Sequence, residues 1–168
     1  GVPCLFLQGA AGDLSPDPPA GQHDHDSFGQ VLGREVLSLA RMVPCSVTGQ
    51  STLRTCEEEF CFKPRIDLGN PLIHGLLSAA FFRDLVAFYE REYRDGVRPR
   101  LTLALLDGKI GFVGVSGEFF CGHALSLQRR ARLDHLFFLG YCNDYQQYFP
   151  TIEAAAEGGY GTDPFVSP

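Results

Sequence analysis

Residues 101–119, LTLALLDGKIGFVGVSGEF, decide how the chain is read. Two apolar runs, LTLALL and KIGFVGV, meet at Asp107-Gly108, the dipeptide most favourable to a tight type I′ turn, so they read as a β-hairpin. The second run is almost continuous in apolar and small residues, as in a strand covered on both faces. It ends at Ser116-Gly117-Glu118, where a glycine turn presents a carboxylate. Two other apolar runs end in the same manner. Residues 3–8 (PCLFLQ) read as a short buried strand leading into Gly9-Ala10-Ala11-Gly12, Asp13 and Ser15. Residues 135–141 (HLFFLGY) read as a strand leading into Cys142-Asn143-Asp144-Tyr145.

Helical spacing lies between these strands. Apolar residues recur at Phe28, Val31, Leu32, Val36, Leu39 and Ala40, and Asp26 or Ser27 can cap that helix. The spacing predicts one long helix over 72–94 stopped by Asp95-Gly96, another over 119–133 and a short one over 151–157. Residues 51–63 read as extended, with Glu57-Glu58-Glu59 toward solvent, and residues 15–26 as a polar, proline-rich loop. The alternation predicts an α/β layered fold with a mostly buried mixed sheet flanked by helices. Ligands bind such sheets at the carboxyl ends of the strands. Three polar loops at three strand ends therefore predict one cleft, provided those strands are parallel neighbours.

The 168 residues are one domain's worth, or a large piece of a bigger domain. Both ends read as cut: the chain opens at Gly1-Val2-Pro3 directly before an apolar run and stops just after Asp163-Pro164-Phe165. The expectation is the C-terminal portion of a larger catalytic domain. A net charge of −6 argues against a nucleic-acid partner, which needs a basic face. The cluster Arg129-Arg130-Ala131-Arg132 reads as cations offsetting a helix dipole. No stretch has the roughly 18 uninterrupted apolar residues of a membrane span. The six cysteines contain no CxxC pair, so a cysteine-held zinc is not expected. Cys4, Cys121 and Cys142 read as small buried hydrophobes, and disulfide pairing stays open.

The loops carry the chemistry. Gly9 and Gly12 let the backbone approach a ligand, and their N–H groups can hold an oxyanion. Ser15 beside them is either a nucleophile awaiting a base or metal, or part of a Ser-Pro turn. Glu118 is either a metal ligand or base, or an acid at a helix N-terminus. Tyr145 and Tyr148 flank Gln146-Gln147, and loop tyrosines ordinarily pack their rings and solvate their hydroxyls. His23 and His25 form a His-Asp-His that either chelates a metal or is a solvated loop, while His74, His123 and His135 read as surface or core residues.

Taken in order, these loops resemble the neutral ceramidase family, zinc-dependent amidases that hydrolyse the N-acyl bond of ceramide. Gly12-Asp13-Leu14-Ser15-Pro16-Asp17 is similar to the family's Gly-Asp-Val-Ser-Pro-Asn, and Ser116-Gly117-Glu118-Phe119 to its Pro-Gly-Glu-Phe. Gly140 to Thr151 resembles a Gly-x-x-Asn-x-Tyr-x-x-Tyr-x-x-Thr block, and Gly159-Tyr160 falls where the family has Tyr-Glu. The resemblance implies a catalytic Ser15, zinc ligands Glu118 and Tyr148, and Tyr160 as an oxyanion donor, with Asp13 in the catalytic loop and Gly9 and Gly12 lining the substrate. It also implies a zinc cofactor, a ceramide-like lipid amide as substrate, peripheral membrane contact and an extracytoplasmic location. The family's two zinc histidines lie upstream of the first block, so this stretch alone is expected to be inactive. Asp17 replaces the family's asparagine and Gly161 its glutamate, and the stretch between Ser15 and Glu118 is short for the family. These departures leave two alternatives: a non-catalytic relative that binds lipid or glycan, and a zinc hydrolase of another acyl bond.

Overall fold

Asp107 and Gly108 form the turn their chemistry calls for. In the computed structural model both have positive φ, 52° and 66°, which a type I′ turn requires at its two central residues. The structure describes all residues except 1, 2, 19, 22, 23, 45–48, 165 and 168. The elements are α1 (His25–Met42), β1 (Leu53–Glu59), α2 (Pro71–Ala80), α3 (Arg83–Tyr93), β2 (Arg100–Leu106), β3 (Ile110–Val115), β4 (Glu118–Phe119), α4 (Cys121–Arg130), β5 (His135–Leu139), β6 (Tyr148–Phe149) and α5 (Ile152–Glu157). The chain divides into two compact units, Gly1–Leu14 with Thr52–Pro168, and Ser15–Ser51.

The first unit is a mixed α/β fold. Its sheet runs β1-β2-β3-β5. β1, β2 and β3 pair antiparallel, with Leu106 opposite Ile110 across the hairpin. β3 and β5 pair parallel, Val113 opposite Phe138, which demands a crossover, and α4 supplies it. β4 and β6 form a separate two-stranded parallel pair. Burial is graded across the main sheet. Every residue of β1 is exposed, whereas Val113, Val115 and Phe138 join Ala10 in a buried cluster that Leu101, Phe119 and Leu127 pack against. The core therefore sits where β3, β5 and α4 meet. The Glu57–Glu59 run faces solvent as predicted, and Glu59 pairs with Arg98 and Arg100 at 3.5 and 3.4 Å.

Three expectations about the elements of this unit are corrected. Residues 3–8 form no ladder. A bond from the Gly140 N–H to the Gln8 carbonyl, 3.0 Å, ties them to the end of β5, and Leu5 and Phe6 are 85% and 77% exposed. A short apolar run has no periodicity that separates a strand from another extended segment. The long helix over 72–94 is two helices. Phe81 and Phe82 adopt extended backbone, with ψ of 166° and 135°. The break folds α2 beside α3, so that Leu77, Phe81, Val86 and Tyr89 face one apolar cavity. Because the apolar stripe resumes on the same side, its period cannot reveal the break. Finally, α4 starts at Cys121 rather than near 119, because Glu118 and Phe119 are taken into β4.

The second unit is built on α1. Asp24, rather than Asp26 or Ser27, caps it: its carboxylate accepts the Ser27 N–H at 2.8 Å and the Ser27 hydroxyl at 2.7 Å. The Ser27 hydroxyl and N–H hold this carboxyl below its usual range. Among the described residues, no residue of α1 is buried. The described cysteines, 4, 56, 61, 121 and 142, are free. No described helix is long and apolar enough to cross a membrane.

Candidate functional site

Because β3 and β5 are parallel neighbours, their carboxyl ends lie at the same edge of the sheet. From that edge β3 runs through Ser116 and Gly117 into β4, and β5 runs through the 140–147 loop into β6. Register then places Glu118 opposite Tyr148 and Phe119 opposite Phe149. Successive strand residues point to opposite faces. Phe119 and Phe149 stack at 4.4 Å on one side, and Glu118 and Tyr148 share the other. The Glu118 N–H donates to the Gln147 carbonyl at 2.7 Å. Only glycine allows this approach at 117: its φ is 131°, and a Cβ would lie 2.6 Å from the Gln147 oxygen.

The Gly9–Asp13 loop reaches the same edge. The Gly12 N–H donates to the Phe119 carbonyl at 3.0 Å, and a Cβ on Gly12 would sit 2.7 Å from the Glu118 carbonyl oxygen. Gly9 lies over Gly140, where an added Cβ would meet the Gly9 carbonyl at 3.3 Å. Asp13 closes the end of α4. Its carboxylate accepts the Cys121 N–H at 2.6 Å and the Cys121 thiol at 3.2 Å, supplying the negative charge that the first turn of α4 lacks. The hydrogen bond to Asp13 is the chief cause pushing the Cys121 thiol up. The three loops picked out in the sequence thus converge, although the first of them follows no strand. Ser15 is exposed and opens the second unit, so the site is described from residues of the first.

Tyr145 and Tyr148 border Glu118, and Tyr141 and Tyr160 pack on these two. The Tyr145 hydroxyl donates to the Glu118 Oε1 at 2.6 Å, and the Tyr141 and Tyr148 hydroxyls turn to the same carboxylate. Tyr141 and Tyr145 stack at 5.7 Å with their rings 3° from parallel. Tyr160, 80% exposed, meets the Tyr148 ring edge-on at 5.5 Å. Desolvation, and next the bond to Glu118, pushes the Tyr141 phenol up to about 12; the same two causes raise Tyr145. Tyr148 is raised by desolvation first, then by Tyr160 and Glu118. Among the described residues no cation pairs with Glu118.

The 140–147 loop holds this arrangement under strain. Tyr141, Asn143 and Gln147 have φ of 58°, 66° and 63°, a region that costs a side-chain-bearing residue about 1–3 kcal/mol. Three sets of bonds brace it. Asn143 donates to Thr102 on β2, Asp144 accepts from the Tyr145 N–H and the Gln146 amide, and Gln147 pairs with the Tyr89 hydroxyl. The segment carrying Tyr160 is tied by Arg65, which donates to the Thr162 and Ser167 carbonyls at 2.9 and 3.3 Å.

Comparison of the chain with protein-family models, with curated proteins and with solved structures finds no match in any of the three. A carboxylate and several phenol oxygens gathered without a counter-charge form a donor set suited to a cation. Zinc accepts such oxygens but is ordinarily four-coordinate. Glu118 and Tyr148, the ligands the resemblance implies, would make two of four, and no group of three His, Cys, Asp or Glu side chains that could hold a metal occurs among the described residues. His23 of the His-Asp-His lies outside the described residues, and His25 is exposed 3.4 Å from Asp26. His123 is engaged 3.1 Å from the Pro150 carbonyl, and His74 lies 3.9 Å from Glu90.

Sequence reasoning took Tyr145 for an ordinary solvated loop tyrosine, which its bond to Glu118 corrects, and passed over Tyr141 and Arg65. The pair Tyr141-x-x-x-Tyr145 beside a predicted ligand was visible, but stacking across it depends on Tyr141 adopting a positive φ, which nothing local dictates. Arg65 acts on carbonyls about a hundred residues away and left no signal at all.

Proposed function

We propose that the protein is a zinc-dependent amidohydrolase resembling the neutral ceramidases, acting on the N-acyl bond of a lipid amide, with this chain contributing part of the catalytic domain. One observation carries the reading: Glu118 and Tyr148, the two residues the resemblance makes zinc ligands, are register partners on one face of a parallel strand pair, with Tyr160 against Tyr148. An open groove of about 400 Å3, lined by Phe6, Leu7, Gln8, Leu139, Tyr141 and Cys142, offers a partly apolar surface that an aliphatic chain can follow.

Zinc, when bound, supplies Lewis acidity at the scissile carbonyl and lowers the pKa of water. The remaining roles belong to the chain. Glu118 and Tyr148 hold the ion together with ligands from outside the described cluster. Ser15 presents the nucleophilic hydroxyl, and Asp13 pins the loop that leads to it by capping α4. Tyr160, exposed beside Tyr148, donates its O–H to the developing oxyanion, a contribution of about 3 kcal/mol for one such donor. Overall the amide C–N bond breaks, the acyl carbon gains hydroxyl from water, and the amine nitrogen gains the proton. Location outside the cytoplasm and contact with a membrane surface belong to this reading.

The test uses the whole protein with zinc, assayed on N-acyl sphingosine, a simple N-acyl amide and the matching ester. The reading expects amide hydrolysis that Ser15→Ala reduces by at least a thousandfold. Undiminished turnover in that variant rejects the assigned nucleophile. Ester hydrolysis without amide hydrolysis moves the protein to another acyl bond, and lipid binding without turnover makes it a non-catalytic relative.

A further inference from the structure

We propose that Tyr145 is a positioning residue that fixes the Glu118 carboxylate for metal binding, with Tyr141 as its stacked support. The inference rests on the reading above that Glu118 is a ligand. A glutamate on a two-residue strand has three free torsions and no cationic partner among the described residues to orient it. Tyr145 supplies the orientation: its hydroxyl holds Oε1 at 2.6 Å, leaving Oε2 as the oxygen not taken by that bond. The ring that carries the hydroxyl is itself fixed. It lies flat on Tyr141 at 5.7 Å, and its backbone N–H is bonded to the Asp144 side chain at 2.7 Å. Asn143 ties the preceding turn to Thr102 of β2, so the loop is referenced to the main sheet and not only to itself. Outer partners of this kind hold a ligating carboxylate in one geometry, and their removal typically weakens metal affinity 10- to 100-fold.

Tyr141 has a second reason to be read this way. Its φ of 58° is unfavourable for a bulky residue, yet it is the conformation that brings its ring over Tyr145 and its hydroxyl toward Glu118. Strain that delivers two hydroxyls to one carboxylate is consistent with a pre-organised site.

The experiment measures zinc affinity of the whole metal-free protein by competition with a chromophoric chelator, alongside the thermal midpoint and, separately, amide hydrolysis. Tyr145→Phe keeps the ring and its stack and removes only the hydroxyl. Its zinc Kd is expected to rise 10- to 100-fold with the midpoint within a few degrees of wild type, and Tyr141→Phe is expected to shift the Kd in the same direction by less. Cobalt substituted for zinc gives a visible spectrum that should change in Tyr145→Phe, a signature that general loosening of the fold does not produce. A Tyr145→Phe protein that binds zinc as tightly as wild type overturns the positioning role. Glu118→Gln separates the two claims: unchanged zinc binding in that variant, or no zinc uptake by wild type, defeats the ligand assignment and this inference with it. Weakened binding in Glu118→Gln but not in Tyr145→Phe defeats this inference alone.

Discussion

Glu118 stands directly opposite Tyr148 in the parallel β4–β6 pair, and the Glu118 N–H is bonded to the carbonyl of the residue before Tyr148 at 2.7 Å. Side chains are thus juxtaposed by backbone register, and whatever disturbs that register disturbs the site.

Gly117 is the tightest point of the register. Gly117→Ala forces a Cβ to within 2.6 Å of the Gln147 oxygen at a φ of 131°. The substitution is expected to destabilise the fold by about 1–3 kcal/mol and, on the proposed zinc reading, to weaken zinc binding, because the strands separate where both proposed ligands sit. Urea denaturation and zinc titration of the same variant check both effects.

Asp13 holds the loop before Ser15 against α4. Asp13→Ala removes the acceptor for the Cys121 N–H and is expected to cost about 1 kcal/mol, with Asp13→Asn retaining part of it. The hydrogen bond and charge of Asp13 raise the Cys121 thiol, so their loss lowers it and increases thiolate at neutral pH. Alkylation of Cys121 by iodoacetamide at pH 7.5 should therefore be faster in Asp13→Ala than in wild type.

Arg65 secures the segment bearing Tyr160. Arg65→Ala leaves the Thr162 and Ser167 carbonyls, on two buried residues, without that donor. Loss of about 1–3 kcal/mol is expected. Hydrogen exchange should accelerate over residues 159–167 and remain unchanged in the β2–β3 hairpin.

Tyr93 gives an alkaline signature. Burial, more than the nearby Tyr89, Glu92 and Asp144, raises its phenol well above the ordinary tyrosine value. A neutral form favoured in the folded state stabilises the protein fully below the unfolded value of about 10, and that contribution falls as pH rises toward the folded value. Wild type should lose stability above pH 10 by denaturant titration. Tyr93→Phe, lacking the ionisation, should lose less over the same interval.

The hairpin and three of the helices were legible because each depends on near neighbours. Asp107-Gly108 specifies its turn through φ alone, and α1, α4 and α5 follow apolar spacing and end signals. The site was legible in part. Glu118, Tyr148, Tyr160, Asp13 and Gly12 could be picked out as candidates, and the tertiary structure brings these five to one edge of the sheet. The break at Phe81–Phe82 and the unpaired run over 3–8 were illegible for one reason: a repeating pattern of apolar residues reports which side is buried, not whether the backbone continues to hydrogen-bond.

By itself the sequence determined the α/β class, the tight hairpin and the residue types present in the loops that follow the apolar runs. Only the tertiary structure decided that β3 and β5 are parallel neighbours, that Glu118 and Tyr148 share a face, and that Tyr141 and Tyr145 join them. The division has a physical cause. Turns and helices are stabilised by bonds within a few residues, whereas strand pairing and loop convergence depend on contacts distant along the chain, whose partners no local pattern names.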